Sequence, residues 1–108
     1  MVKRVIKDKL LNERIKEYID LVLNNYKVEA IILFGSYAKG SYNENSDIDI
    51  AIVTDDFNND IIDEELKLMK LRRKIDTRIE PHLIRVEDYK KVNTPFIKEV
   101  IDNGIKIA

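Results

Sequence analysis

Gly35-Ser36-Tyr37-Ala38-Lys39-Gly40-Ser41-Tyr42-Asn43-Glu44-Asn45-Ser46-Asp47-Ile48-Asp49 is the stretch whose reading decides the fold. Before it runs Val28-Glu29-Ala30-Ile31-Ile32-Leu33-Phe34, and after it Ile48-Asp49-Ile50-Ala51-Ile52-Val53. Both are short, apolar and rich in β-branched residues, so the motif links two strands. Side chains two apart on a strand point the same way, which sends Asp47 and Asp49 out together from a segment otherwise built for burial. Two neighbouring anions partly removed from water are tolerated when cations sit between them, and hard divalent cations with oxygen ligands answer that need. A glycine turn of phosphate size joined to two carboxylates on one strand face reads as a nucleotide site.

Rival motifs fail on the same letters. Gly35 and Gly40 have the spacing of P-loop glycines, but Ser41-Tyr42 stands where a P-loop needs Lys followed by Ser or Thr. An EF-hand would need an oxygen ligand at Ala51 and a glycine at Ile52. Taken singly, Gly35 could end a strand, Ser36 could cap a short helix through Lys39, and Asp47 could be a turn residue. Asp49, inside an apolar strand, has no such alternative.

The run from Gly35 to Val53 resembles the polymerase-beta-like nucleotidyltransferases, and most of all their smallest members, the minimal nucleotidyltransferases (MNT). Their signature is Gly-Ser, about ten residues, Asp-x-Asp, then a third carboxylate on a later strand; the likeness here extends from about Val28 to Ile84. The resemblance implies an α/β fold, a small mixed β-sheet with helices packed on it. It implies that Gly35 lets the backbone approach a triphosphate, that Ser36 and neighbouring amides hold its oxygens, and that the carboxylates carry Mg²⁺, two ions in all, with ATP as substrate. Glu80 is the expected third acid: alternation in Arg78-Ile79-Glu80-Pro81-His82-Leu83-Ile84 sets it opposite Ile79 and Leu83, and the resemblance sets this strand beside the one with the aspartates. Family members more often carry Asp there. Asp76, of the same parity, is the alternative.

The sequence has 108 residues, 19 Lys plus Arg against 20 Asp plus Glu, a formal charge of −1 and no Cys. This length predicts one nucleotidyltransferase domain over residues 1–108 with a single core. The balanced charge gives no bulk attraction to nucleic acid or anionic lipid, so direct nucleic-acid binding is not expected. Without Cys there are no disulfides or thiolate metal sites, and with no signal peptide or membrane-length apolar window a cytoplasmic protein is expected.

Helical spacing is expected from about Lys3 to Tyr26, with Leu11, Ile15, Tyr18, Ile19 and Val22 inward. Asp55 to Asp60 reads as a loop. A second helix is expected from Ile61 to Lys74, with Ile62, Leu66, Met69 and Arg73 on its face and Ile61 and Leu68 as fill. Pro81 argues for an edge strand, Thr94 caps a helix starting at Pro95, and Gly104 closes it before a short strand at Ile105-Lys106-Ile107.

Among the other polar residues, Lys39 is the candidate phosphate contact by proximity, and Tyr37 and Tyr42 are candidates for base or partner. Arg78 shares Glu80's parity and is a further phosphate candidate, although the nearby Arg72-Arg73-Lys74 reads as a generally solvated basic helix end. His82, the only histidine, shares that face too and is placed to lie near the nucleotide, but one histidine does not make a metal cluster, and the ordinary reading is a partly buried side chain with a hydrogen bond.

The resemblance implies an enzyme that transfers AMP from ATP to a hydroxyl and releases pyrophosphate, with Asp47, Asp49 or Glu80 taking the acceptor's proton. MNT proteins are commonly paired with a helical HEPN toxin, which makes protein adenylylation of a partner tyrosine, with an antitoxin role, the expected activity. Two alternatives stay open. One is transfer to an aminoglycoside-like small molecule in a pocket completed by a partner or by a homo-oligomer; the other is a non-catalytic subunit that masks a toxin by contact.

Overall fold

The computed structural model describes residues 9–58 and 60–108. The first helix, α1 (Lys9–Asn25), buries Leu11, Ile15, Tyr18, Ile19 and Val22, the five positions its spacing predicts; the part of the expected helix before Lys9 lies outside the described residues. Four strands follow in the chain: β1 (Ala30–Phe34), β2 (Ile48–Val53), β3 (Ile79–Ile84) and β4 (Ile105–Lys106). They form one mixed sheet in the order β3-β2-β1-β4. β1 pairs antiparallel with β2 and β4, whereas β2 and β3 are parallel. A parallel neighbour cannot be reached by a tight hairpin, and the crossover is made by α3 (Ile61–Leu71) with a single 3₁₀ turn (Arg72–Lys74).

Pro81 is tolerated because β3 is at the sheet edge. Alternation divides the sheet into two apolar faces. Ile31, Leu33, Ile48, Ile50, Ile52, Ile79 and Leu83 cluster with the inner face of α1 and with Leu68 of α3. Ala30, Ile32, Phe34, Ala51, Val53 and Ile84 cluster with Ile97 and Val100 of α5 (Pro95–Asn103). Each fully buried Ile or Leu contributes about 1.5–3 kcal/mol, so helices on both faces are needed to make such hydrophobic strands soluble.

Two helices are absent from the expected order. α2 (Ser36–Lys39) is a single turn inside the β1–β2 connection, and α4 (Val86–Lys91) follows β3. α4 buries no residue, so it has no apolar period to read. The expected face of α3 is wrong. Ile62 is 68% exposed and Leu66 50%, Met69 is only half-buried, and Glu64 and Leu68 face the core instead. Glu64 is accommodated because the Tyr26 hydroxyl donates to its carboxylate; burial, then this bond, pushes the Tyr26 hydroxyl above its ordinary range. Asp60 caps α3 by accepting from Ile62 N at 2.8 Å, and Thr94 caps α5 by accepting from Ile97 N at 3.1 Å.

Asp76 fastens the entrance of β3. Arg78 donates to it from the backbone N at 2.9 Å, from Nε at 3.0 Å and from Nη2 at 2.7 Å, and Arg14 of α1 adds a contact at 3.3 Å. The Arg78 hydrogen bond, despite opposing burial, lowers the Asp76 pKa from 3.8 to about 2. A lowered folded-state value means stability that is present above the ordinary aspartate range and is lost as pH falls through the folded value. Because Arg14 and Arg78 are 40% and 31% exposed, solvent screening reduces the contribution to about 1–2 kcal/mol. Asp76→Asn should therefore lower unfolding stability by about 1–2 kcal/mol at pH 7, with the gap to the wild type closing between about pH 4 and pH 2. Urea titrations across that range check this, and a gap independent of pH would contradict it.

Candidate active site

The β1–β2 connection begins at Gly35, whose φ of 73° and ψ of −153° lie where L side chains rarely go. A Cβ there would overlap the Asp49 Oδ2 atom and lie 3.3 Å from Asp49 Cγ. Gly35 is thus required twice, by its backbone angle and by the carboxylate in front of it. After Gly35 the chain makes the α2 turn, with Ser36 as its first helical residue and Gly40 ending it at φ 78°.

The segment before Asp47 is held from several sides. Within it, Asn43 N donates to Ser46 Oγ at 3.0 Å, Ser46 N to Asn43 O at 3.1 Å, and Asn45 N to Asn43 Oδ1 at 2.8 Å. Tyr37 is buried, stacks on Tyr42 with ring centroids 4.3 Å apart, and donates to Asn43 O at 3.3 Å. Arg78 Nη1 reaches the Tyr37 hydroxyl and Glu44 O, each at 3.3 Å, and Ile48 N donates to Arg78 O at 2.8 Å. Tyr37 is therefore packed beneath the loop instead of being free to meet a base. The Arg78 guanidinium, expected on phosphate, is engaged by Asp76, Tyr37 and Glu44.

Asp47 is exposed and immediately precedes β2; Asp49 is half-buried within it. Parallel pairing places Glu80 directly opposite Asp49. Burial, then the hydrogen bonding and charge of Asp47, and last the charge of Asp49 raise the Glu80 pKa, with His82 opposing them. Folding thus disfavours the ionised Glu80 carboxylate, the electrostatic condition that a cation would relieve. Asp76 is not in this group. Its carboxylate is occupied by Arg78 and Arg14, so of the two acids considered for the third position only Glu80 faces the aspartates.

Lys39 is exposed on α2 and pairs with Glu99 of α5 at 2.8 Å. Proximity in sequence therefore did not reveal its partner. His82, expected on Glu80's face, lies against the acids: Nε2 is 3.2 Å from Asp49 Oδ1. Ligand atoms from Asp49, Glu80 and His82 all lie within 4.8 Å of one another. The signal was present in the alternation of Glu80 and His82 but was discounted because a histidine was weighed against other histidines and not against carboxylates across the strand pair. The donor set fits a divalent cation: oxygen ligands suit Mg²⁺ at about 2.0–2.1 Å, and the partial exposure of all three residues leaves room for water or phosphate oxygens. Among the described residues no helix is long and apolar enough to cross a membrane.

Comparison with known proteins places the chain in a family. The family model "Polymerase beta, Nucleotidyltransferase" matches residues 13–108. A Methanocaldococcus jannaschii protein whose name marks it provisionally as a protein adenylyltransferase is 32% identical over 98 residues, covering 88% of this chain and 96% of its own. Protein adenylyltransferase MntA of Shewanella oneidensis is 34% identical over 95 residues, covering 87% of this chain and 63% of its own. Among solved structures, a toxin–antitoxin complex with AMP-PNP superposes with a TM-score of 0.61 at 28% identity, over 87% of this chain and 69% of that one. A Sulfolobus solfataricus structure described provisionally as a nucleotidyltransferase shares the fold at the same TM-score, with 21% identity, over 87% of this chain and 76% of that one. With its two-aspartate motif, the opposed Glu80 and the family match over nearly its whole length, the chain belongs to the polymerase beta nucleotidyltransferase family and is one of its minimal nucleotidyltransferases.

Proposed function

We propose that the chain transfers AMP from ATP to a tyrosine hydroxyl of a helical HEPN toxin and so acts as its antitoxin. The observation that supports the reaction is Asp49 in front of the Gly35 turn with Glu80 opposite it across the strand pair and Asp47 next to Glu80. The partner reading is supported by relatives named for protein adenylylation and by the toxin–antitoxin structure with bound AMP-PNP.

In this reading Asp47, Asp49 and Glu80 hold Mg²⁺, which supplies neutralisation of triphosphate charge and acidification of the acceptor hydroxyl. Gly35 keeps the space in front of Asp49 open, and Ser36 with the amides of the α2 turn holds phosphate oxygens. Lys39 reaches phosphate by exchanging its Glu99 partner. The acceptor oxygen forms a bond to the α-phosphorus as the bond to the bridging oxygen breaks and pyrophosphate leaves; a carboxylate of the cluster accepts the hydroxyl proton. Arg78, Tyr37 and Tyr42 fix the loop from which Asp47 projects, so positioning contributes as much as charge.

Asp47→Asn or Asp49→Asn should leave the fold intact and reduce transfer at least about a hundredfold. Turnover of ATP by both variants at the wild-type rate would remove the carboxylates from the chemistry. Gly35→Ala should also cost about a hundredfold, because Asp49 must move and a residue other than Gly must adopt a positive φ; circular dichroism and ATP turnover separate that loss from unfolding. Intact-mass measurement after incubation with ATP, Mg²⁺ and the HEPN partner should show added AMP on the partner, absent with the Asp47→Asn, Asp49→Asn double variant. A partner neutralised by that double variant without mass gain would mean masking by contact.

A further inference from the structure

Three features of His82 are unexplained by a role in packing alone. It stands two residues after Glu80, so both side chains project from the same sheet face as Asp49, the register partner of Glu80. Its register partner is Ala51, the smallest side chain of β2 and two residues after Asp49. Its ring is packed edge-on against Phe34, with centroids 5.0 Å apart, and against Phe96 at 5.5 Å, an arrangement that leaves Nε2 facing the acids.

We infer that His82 is a direct ligand of the metal held by Asp49 and Glu80, and that its nitrogen shifts the site's preference from Mg²⁺ toward Mn²⁺. The inference rests on the proposed metal role of the acids and adds a ligand to it. The mutual spacing of the three donor atoms, within 4.8 Å, is what one ion can span when each ligand lies about 2.0–2.4 Å away. Mg²⁺ is a hard cation that gains little from imidazole, whereas first-row transition ions accept nitrogen and oxygen together. The aromatic contacts supply preorganisation: a ring already held toward Asp49 loses little rotamer freedom on binding. The competing role for His82 is a hydrogen bond to Asp49 from outside the ligand shell, which would orient that carboxylate without touching the metal.

Mn²⁺ and Mg²⁺ binding to the full chain, measured calorimetrically, and the electron spin-echo envelope of bound Mn²⁺ distinguish the two. Wild-type protein should show nitrogen-14 modulation from a directly bound imidazole. His82→Asn and His82→Leu should both abolish it, weaken Mn²⁺ binding at least about tenfold and change Mg²⁺ binding by less than about threefold. Bound Mn²⁺ without directly coupled nitrogen in the wild type, or an equal loss of both metals in the variants, would overturn His82 as a ligand. Asp49→Asn is the control for the underlying reading: if it leaves Mn²⁺ binding unchanged, the metal assignment itself fails, whereas loss there with unchanged His82 variants defeats the His82 inference alone.

Discussion

Mutual repulsion among Asp47, Asp49 and Glu80 is the constraint around which the rest of the molecule is arranged. Left to themselves, such acids would turn into solvent; Asp47 is exposed, but the backbone keeps Asp49 and Glu80 half-buried. Asp49 is anchored between two apolar neighbours, Ile48 and Ile50, that are fully buried. Glu80 sits opposite Asp49 because β2 and β3 are paired through six consecutive residues, from Ile48↔Ile79 to Val53↔Ile84. A slip of one residue would send Glu80 to the other sheet face and bring an apolar side chain against the aspartates. The buried apolar surface on both sides of the sheet thus supplies the free energy that holds the charges together, and the raised pKa of Glu80 records first its burial and then its acidic neighbour Asp47.

A second set of charges does the opposite work. Asp76 with Arg78 and Arg14 is a compensated group, and it stabilises where the acid cluster destabilises. Through Tyr37 and Glu44, Arg78 also reaches the loop that carries Asp47. The two groups are separated by only a few residues of β3, so one end of the strand is electrostatically satisfied while the next residues are left to await a ligand. Such a division is what a preorganised polar site needs: its supports are rigid and its reacting groups are under-neutralised.

Much of this was legible from the letters. Period-two alternation set Asp47 with Asp49 and turned Glu80 away from Ile79 and Leu83, the family resemblance set the two strands side by side, Pro81 pointed to the edge, and the spacing of α1 named all five of its buried residues. The face of α3 was not legible, because Ile61-Ile62-Asp63-Glu64-Glu65-Leu66-Lys67-Leu68-Met69 carries two overlapping helical stripes. What decides between them is the burial of Glu64 against the Tyr26 hydroxyl, a compensation that hydrophobic periodicity does not price. The partner of Lys39 was hidden for a related reason, since Glu99 is distant in sequence and meets it only once α5 has packed on the sheet. His82 was undervalued because its neighbours depend on strand register, a long-range property that a local pattern does not contain.

The most direct measurement of the account is a crystal structure of the chain with Mn²⁺ and a non-hydrolysable ATP analogue, read from the anomalous scattering of the metal. The account predicts metal density in front of the Gly35 turn, within ligand distance of Asp47, Asp49 and Glu80, and the α-phosphorus on the same side. Metal density elsewhere, or a Glu80 side chain turned from the aspartates with another acid in its place, would contradict it.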